Sequence, residues 1–210
     1  ACFLVGDYTM ATYYYSKILK NTESWKCYSA EDSSSLYNSA HGNLGSAYNR
    51  LSLYDSAIYH YEQVQINEEN EVLMYNNIAS LYLKTNRGDL ALENLLRIRE
   101  TNGIDQENIT KLNLLSAYNS TGDLKNAKRV YKTLKDDTYP YNDTSETLSA
   151  LLNYHIRVGD PLEFLNLTHH NIDYLKAHIG DSQNYKYAVK MLEYYPTRMN
   201  MFQRFWTIWK

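Results

Sequence analysis

The sequence has two cysteines, three prolines and no apolar run long enough to cross a membrane. Each of these shortages narrows the reading. Cys2 and Cys27 are too few for a disulfide framework and stand at no metal-ligand spacing. A spanning helix needs about 18 or more consecutive apolar residues, so no membrane span is expected. The opening residues, ACFLVG, lack the basic start of a signal peptide. A basic excess is also missing: 21 Lys and Arg face 24 Asp and Glu, for a formal charge of −3. That balance argues against nucleic acid as a partner, because such domains concentrate positive charge on one face. The motifs of catalysis are absent as well. There is no Gly-rich phosphate loop, no nucleophile elbow and no Cys–His pair in a recognisable frame. The reading is therefore not an enzyme, with no cofactor and no metal.

What the chain does have is tyrosine, 22 of 210 residues, and much asparagine. Tyrosine joins a large apolar ring to a polar tip and suits half-buried sites between helices. Asparagine lowers helix propensity, so helices in this sequence must be held by tertiary contacts. Apolar residues at 44% and charged residues at 21% describe a globular chain.

Self-comparison is the most informative step. Residues 43–64 (NLGSAYNRLSLYDSAIYHYEQV), 77–98 (NIASLYLKTNRGDLALENLLRI) and 113–134 (NLLSAYNSTGDLKNAKRVYKTL) align in register. Each opens on Asn and an aliphatic residue, followed by a tyrosine at Tyr48, Tyr82 or Tyr118. Alanines follow at Ala57, Ala91 and Ala127, then Tyr61, Leu95 and Tyr131, then Val64, Ile98 and Leu134. Leu44 and Tyr48 stand four apart and share a face of a first helix; Ala57, Tyr61 and Val64 do the same on a second. Turn and cap residues separate the two helices at 52–55, 86–89 and 121–123. The small alanine permits close approach of the first helix. Such a pair cannot bury its apolar face alone and stacks on neighbours.

This pattern resembles the tetratricopeptide repeat. The resemblance rests on Leu44, Gly45, Tyr48, Ala57, Tyr61 and Val64 in the best copy. The family's tryptophan position holds His41, Tyr75 and Lys111; Leu115 replaces a small residue; and the closing proline is missing from all three copies. The resemblance implies an all-α fold, a right-handed α-solenoid of antiparallel helix pairs forming one domain over 1–210. Its expected parts are a half repeat (1–22), a linker or extended helix (23–37), and repeats at 38–71, 72–105 and 108–141. A degenerate repeat (145–178) and C-terminal capping helices (181–210) complete it. The half repeat, read from Gly6, Asp7, Tyr8, Ala11, Tyr15 and Ile18, suggests that the chain begins inside a repeat of a longer protein. The degenerate copy is read from Leu151, His155, Gly159, Asp160, Pro161 and Phe164.

The resemblance also implies a binding face. In that family the first helix lines a concave groove, and an asparagine there bonds the main chain of a bound peptide. The matching residues are Asn43, Asn77 and Asn113. An amide both donates and accepts, which suits a peptide backbone whatever its side chains. Ser46, Ser80 and Ser116 follow three residues on, with Arg50 and Lys84 near the helix ends. The expected function is a scaffold holding a protein or peptide ligand. The alternative is a sensing domain of a bacterial signalling protein. For that reading the aromatic segment with Phe202, Phe205, Trp206 and Trp209 would abut a membrane instead of capping the last repeat. Cytoplasmic and periplasmic locations fit equally.

Four further features carry less. Lys125, Lys128, Arg129, Lys132 and Lys135 form a basic stripe, for which a solvated face is the ordinary reading. Glu62, Glu68, Glu69 and Glu71 make its acidic counterpart. His155, His169, His170 and His178, with Asp173, lack an HExxH-type spacing. The Asn-x-Ser/Thr sequences at Asn108, Asn119, Asn142 and Asn166 match chance for this composition.

Overall fold

A computed structural model describes residues 6–21, 28–98, 108–136 and 145–159, with isolated positions between 163 and 190. Among these residues the chain is all-α. Eight helices follow one another: α1 (Tyr8–Lys20), α2 (Ala30–Arg50), α3 (Tyr54–Glu62), α4 (Glu71–Lys84), α5 (Gly88–Leu95), α6 (Asn108–Thr121), α7 (Leu124–Asp136) and α8 (Ser145–Val158). The chain divides into two compact units, Ala1–Asn113 and Leu114–Lys210. In the first, α1 packs on α2, α2 on α3, α3 on α4 and α4 on α5; in the second, α7 packs on α8.

The turns explain why the helices break where they do. Ser52, Asn86 and Gly122 hold left-handed φ values of 59°, 58° and 81°. They stand 34 and 36 residues apart, the same steps that separate Tyr48, Tyr82 and Tyr118. A left-handed residue just past a helix end turns the chain and satisfies the last carbonyls. Accordingly the Leu53 amide donates to the Tyr48 carbonyl at 2.9 Å, and the Arg87 amide to the Tyr82 carbonyl at 2.8 Å. The next helix then starts alike in all three copies. The amides of Ala57, Ala91 and Ala127 donate to the carbonyls of Leu53, Arg87 and Asp123. Asp123 adds a side-chain cap, its Oδ1 accepting from the Asn126 amide at 3.1 Å.

The buried positions recur in the same register. Ala57, Ala91 and Ala127 are each 0% exposed. Leu44, Ile78 and Leu114 are buried, as are Val64, Ile98 and Leu134. Gly45 has a specific role in the first copy: a Cβ there would meet the Tyr61 ring at 2.8 Å. The missing side chain is what lets that ring lie against α2. In the third copy Leu115 takes the equivalent position and is buried, while Tyr131 stacks on Tyr154 at 4.5 Å. The hydrophobic effect supplies most of the stability, at about 25 cal/mol per Å² of apolar surface removed from water.

The polar stretch before the first full copy is helical from Ala30, so α2 runs for 21 residues. Ser29 caps it, accepting from the Asp32 amide at 3.0 Å. The extra turns are fastened at one point. Ser34 Oγ donates to Gln65 Oε1 at 2.9 Å, and the Gln65 amide donates to Asn38 Oδ1 at 2.9 Å. Upstream, α1 starts at Asp7, whose Oδ1 accepts from the Met10 amide at 2.9 Å. Downstream, Leu151 and His155 of α8 are buried. Cys2, Cys27, Asp160, Pro161, His169, His170, His178 and the aromatic segment 199–210 lie outside the described residues. No helix among the described residues is long and apolar enough to cross a membrane.

Candidate functional site

The asparagines at equivalent positions of α2, α4 and α6 are all half-buried, yet their amides are committed differently. Asn43 Nδ2 donates to the Ser39 carbonyl of its own helix at 2.8 Å. Asn113 Nδ2 donates to Asn76 Oδ1 at 2.9 Å. Asn77 makes no side-chain hydrogen bond among the described residues. The first two have spent one donor and keep an oxygen and a second N–H; the third has its whole amide unspent.

Behind this face lies a polar cluster that sequence reasoning missed. Asn76 is 4% exposed and Thr110 is buried too. Asn76 Nδ2 donates to Thr110 Oγ1 at 2.8 Å and to the Val72 carbonyl at 2.9 Å. With the bond received from Asn113, both amide protons and the oxygen of Asn76 are engaged. Satisfying a buried amide in this way avoids the penalty of an orphaned polar group. The cluster also ties the start of α6 to α4. No repeated signal marks it, because the positions equivalent to Asn76 hold Gly42 and Leu112.

Ser46, Ser80 and Ser116 are half-buried, and Arg50 and Lys84 are exposed. Burial pushes the Tyr61 phenol up, opposed by the Ser46 hydroxyl and the Arg50 charge that stand near it. Lys84 Nζ lies 3.5 Å from Asn49 Oδ1 and 5.9 Å from the centre of the Tyr54 ring. At the neighbouring turn Arg87 pairs with Asp55 at 2.6 Å and covers the Tyr82 ring at 4.8 Å. Tyr82 in turn donates to Glu62 Oε1 at 3.0 Å, and burial, followed by that carboxylate, raises its phenol.

A second constellation joins α2 to α3. His41 Nδ1 and His60 Nδ1 are 3.0 Å apart. The Tyr37 ring packs on His41, and the Tyr48 ring stacks on His60 at 5.3 Å. Burial holds both imidazoles below their ordinary value; the charge of His41 lowers His60 further, to about 4. Near neutral pH both rings are neutral, and one donates its Nδ1–H to the other. Among the described residues no three His, Cys, Asp or Glu side chains group as metal ligands.

An open hollow of about 550 Å³ is lined by Ile66, Asn67, Glu68, Glu71, Tyr75 and Arg97. Glu71 Oε1 is buried without a hydrogen-bond partner.

Compared with known protein families and with curated proteins, the sequence has no significant match to either.

Proposed function

We propose that this chain is a tetratricopeptide-like interaction scaffold, holding an extended protein segment against the faces of α2, α4 and the first turns of α6. One observation carries the reading. Asn43, Asn77 and Asn113 stand half-exposed at equivalent positions of three successive first helices, each with unspent amide capacity. A main chain laid across them presents one donor and one acceptor per residue, which those amides can meet. The repeat reading is supported by the turn geometry, whose left-handed residues recur at the steps of the sequence repeat. Ser46, Ser80, Arg50 and Lys84 would border the segment and bias which side chains it accepts.

The test is selection from a displayed library of random peptides on the wild-type chain and on Asn43→Ala/Asn77→Ala/Asn113→Ala. Peptides enriched by the wild type should bind the triple variant at least about tenfold more weakly, since several hydrogen bonds of roughly 1 kcal/mol each are lost. Equal affinity for a triple variant with an unchanged circular-dichroism spectrum would remove these asparagines from the site.

A further inference from the structure

The basic stripe of α7 is uniform in sign. Lys125, Lys128, Arg129 and Lys132 are all exposed and stand at i, i+3, i+4 and i+7, on one face of the helix. No acidic residue occurs between Asp123 and Asp136. Lys128, Arg129 and Lys132 form no ion pair or hydrogen bond among the described residues. Lys125 helps to lower the carboxyl of the cap residue Asp123, after the larger effect of Asn126.

An ordinary exposed helix mixes signs, so that Glu and Lys four residues apart attract. Here the neighbouring pairs 125–128, 125–129, 128–132 and 129–132 are all like-charged, and each such pair destabilises the helix. The concentration is notable in a chain whose formal charge is −3. The other side of the helix is already occupied. Ala127 and Leu134 are buried, and Tyr131 stacks on Tyr154 and meets His155 edge-on at 5.0 Å.

We propose that this face of α7 is a docking surface for an acidic segment of a partner protein. Charge complementarity selects the occupant. From Lys125 to Lys132 the stripe rises by seven steps, or about 10 Å at 1.5 Å per residue. Carboxylates four apart on a partner helix, about 6 Å between Cβ atoms, reach successive cations along that length. A lipid surface fits less well, because the only other exposed side chain of described placement on α7 is Thr133, which is not apolar. Nucleic acid is disfavoured by the formal charge of −3. A short segment feels mainly the stripe, since charges are screened beyond about 8 Å at physiological salt.

The test uses the full chain and a fluorescein-labelled alanine-based peptide carrying three glutamates four residues apart, with a glutamine version as control. Fluorescence anisotropy should give the glutamate peptide at least about tenfold tighter binding than the control at low salt, weakening as salt rises. Lys128→Glu/Arg129→Glu should abolish the difference while the circular-dichroism spectrum stays helical. Lys125→Gln/Lys132→Gln, which introduces no new charge, should reduce it and serves if the first variant fails to fold. Equal binding of the two peptides, or binding indifferent to both variants, would overturn the proposal. So would tighter binding to vesicles containing phosphatidylserine, or to a short DNA duplex, than to the glutamate peptide.

Discussion

His41 Nδ1 and His60 Nδ1 meet at 3.0 Å across α2 and α3, and only one proton fits between them. Protonating both rings would set two cations together in a half-buried site.

From this pairing comes a pH dependence whose sign is fixed. The folded chain holds His60 at about 4 and His41 below its ordinary value, whereas in the unfolded chain both titrate near 6.5. The unfolded state therefore takes up protons first as pH falls. The contribution of the pair is complete above pH ~6.5 and is lost as pH drops from there toward ~4. The second copy offers a natural control, since Tyr75 and Asn94 occupy the equivalent positions. Denaturant midpoints measured from pH 7 to 4.5 should fall less steeply for His41→Tyr/His60→Asn than for the wild type. Parallel curves would mean that the pair does not titrate as described.

Gly45 and Tyr61 fit closely between α2 and α3. Adding a methyl at Gly45 places a carbon 2.8 Å from the ring, so Gly45→Ala should cost about 1–3 kcal/mol through overpacking, despite the better helix propensity of alanine. The second copy has Ala79 and Leu95 at the equivalent positions, both buried. Gly45→Ala/Tyr61→Leu should therefore recover part of the loss. A thermal-melt double-mutant cycle with no coupling between the two changes would contradict the contact.

How much of this was readable in the sequence differs between the apolar and polar parts. Leu44, Ala57, Val64 and their equivalents are buried where the periodicity puts them, because apolar burial is non-directional and depends only on which face a residue occupies. Hydrogen bonds are directional, and the register did not transmit them. Asn43, Asn77 and Asn113 look alike in the alignment, yet one bonds its own helix, one bonds Asn76 and one bonds nothing described. The structural roles of Asn76 and His60 are not legible in the sequence because they depend on partners 34 and 19 residues away, Thr110 and His41, that no repeat predicts.

The asparagines should accordingly separate in their effect on stability. Asn76→Ala removes three hydrogen bonds and leaves Thr110 and Asn113 short of partners, at a cost of about 2–3 kcal/mol. Asn113→Ala should cost roughly 1 kcal/mol, and Asn77→Ala should stay within about 0.5 kcal/mol of wild type. Urea titrations of the three single variants distinguish these. A large loss for Asn77→Ala would show that its amide is structurally committed.

The turns give the last prediction. Ser52 holds φ at 59°, in a region where a side chain costs roughly 1–2 kcal/mol, although Asn tolerates it better than Ser. Gly122 meets the same requirement without that cost, at a φ of 81°. Ser52→Gly should therefore raise the melting temperature, and Asn86→Gly should raise it less. Gly122→Ser should lower it by the equivalent of about 1 kcal/mol. The opposite signs matter, because glycine also increases the entropy of the unfolded chain and by itself would destabilise both variants. A melting temperature that fell for Ser52→Gly would mean that this entropy outweighs the relief of strain, and that the left-handed turn is not what limits the joint between α2 and α3.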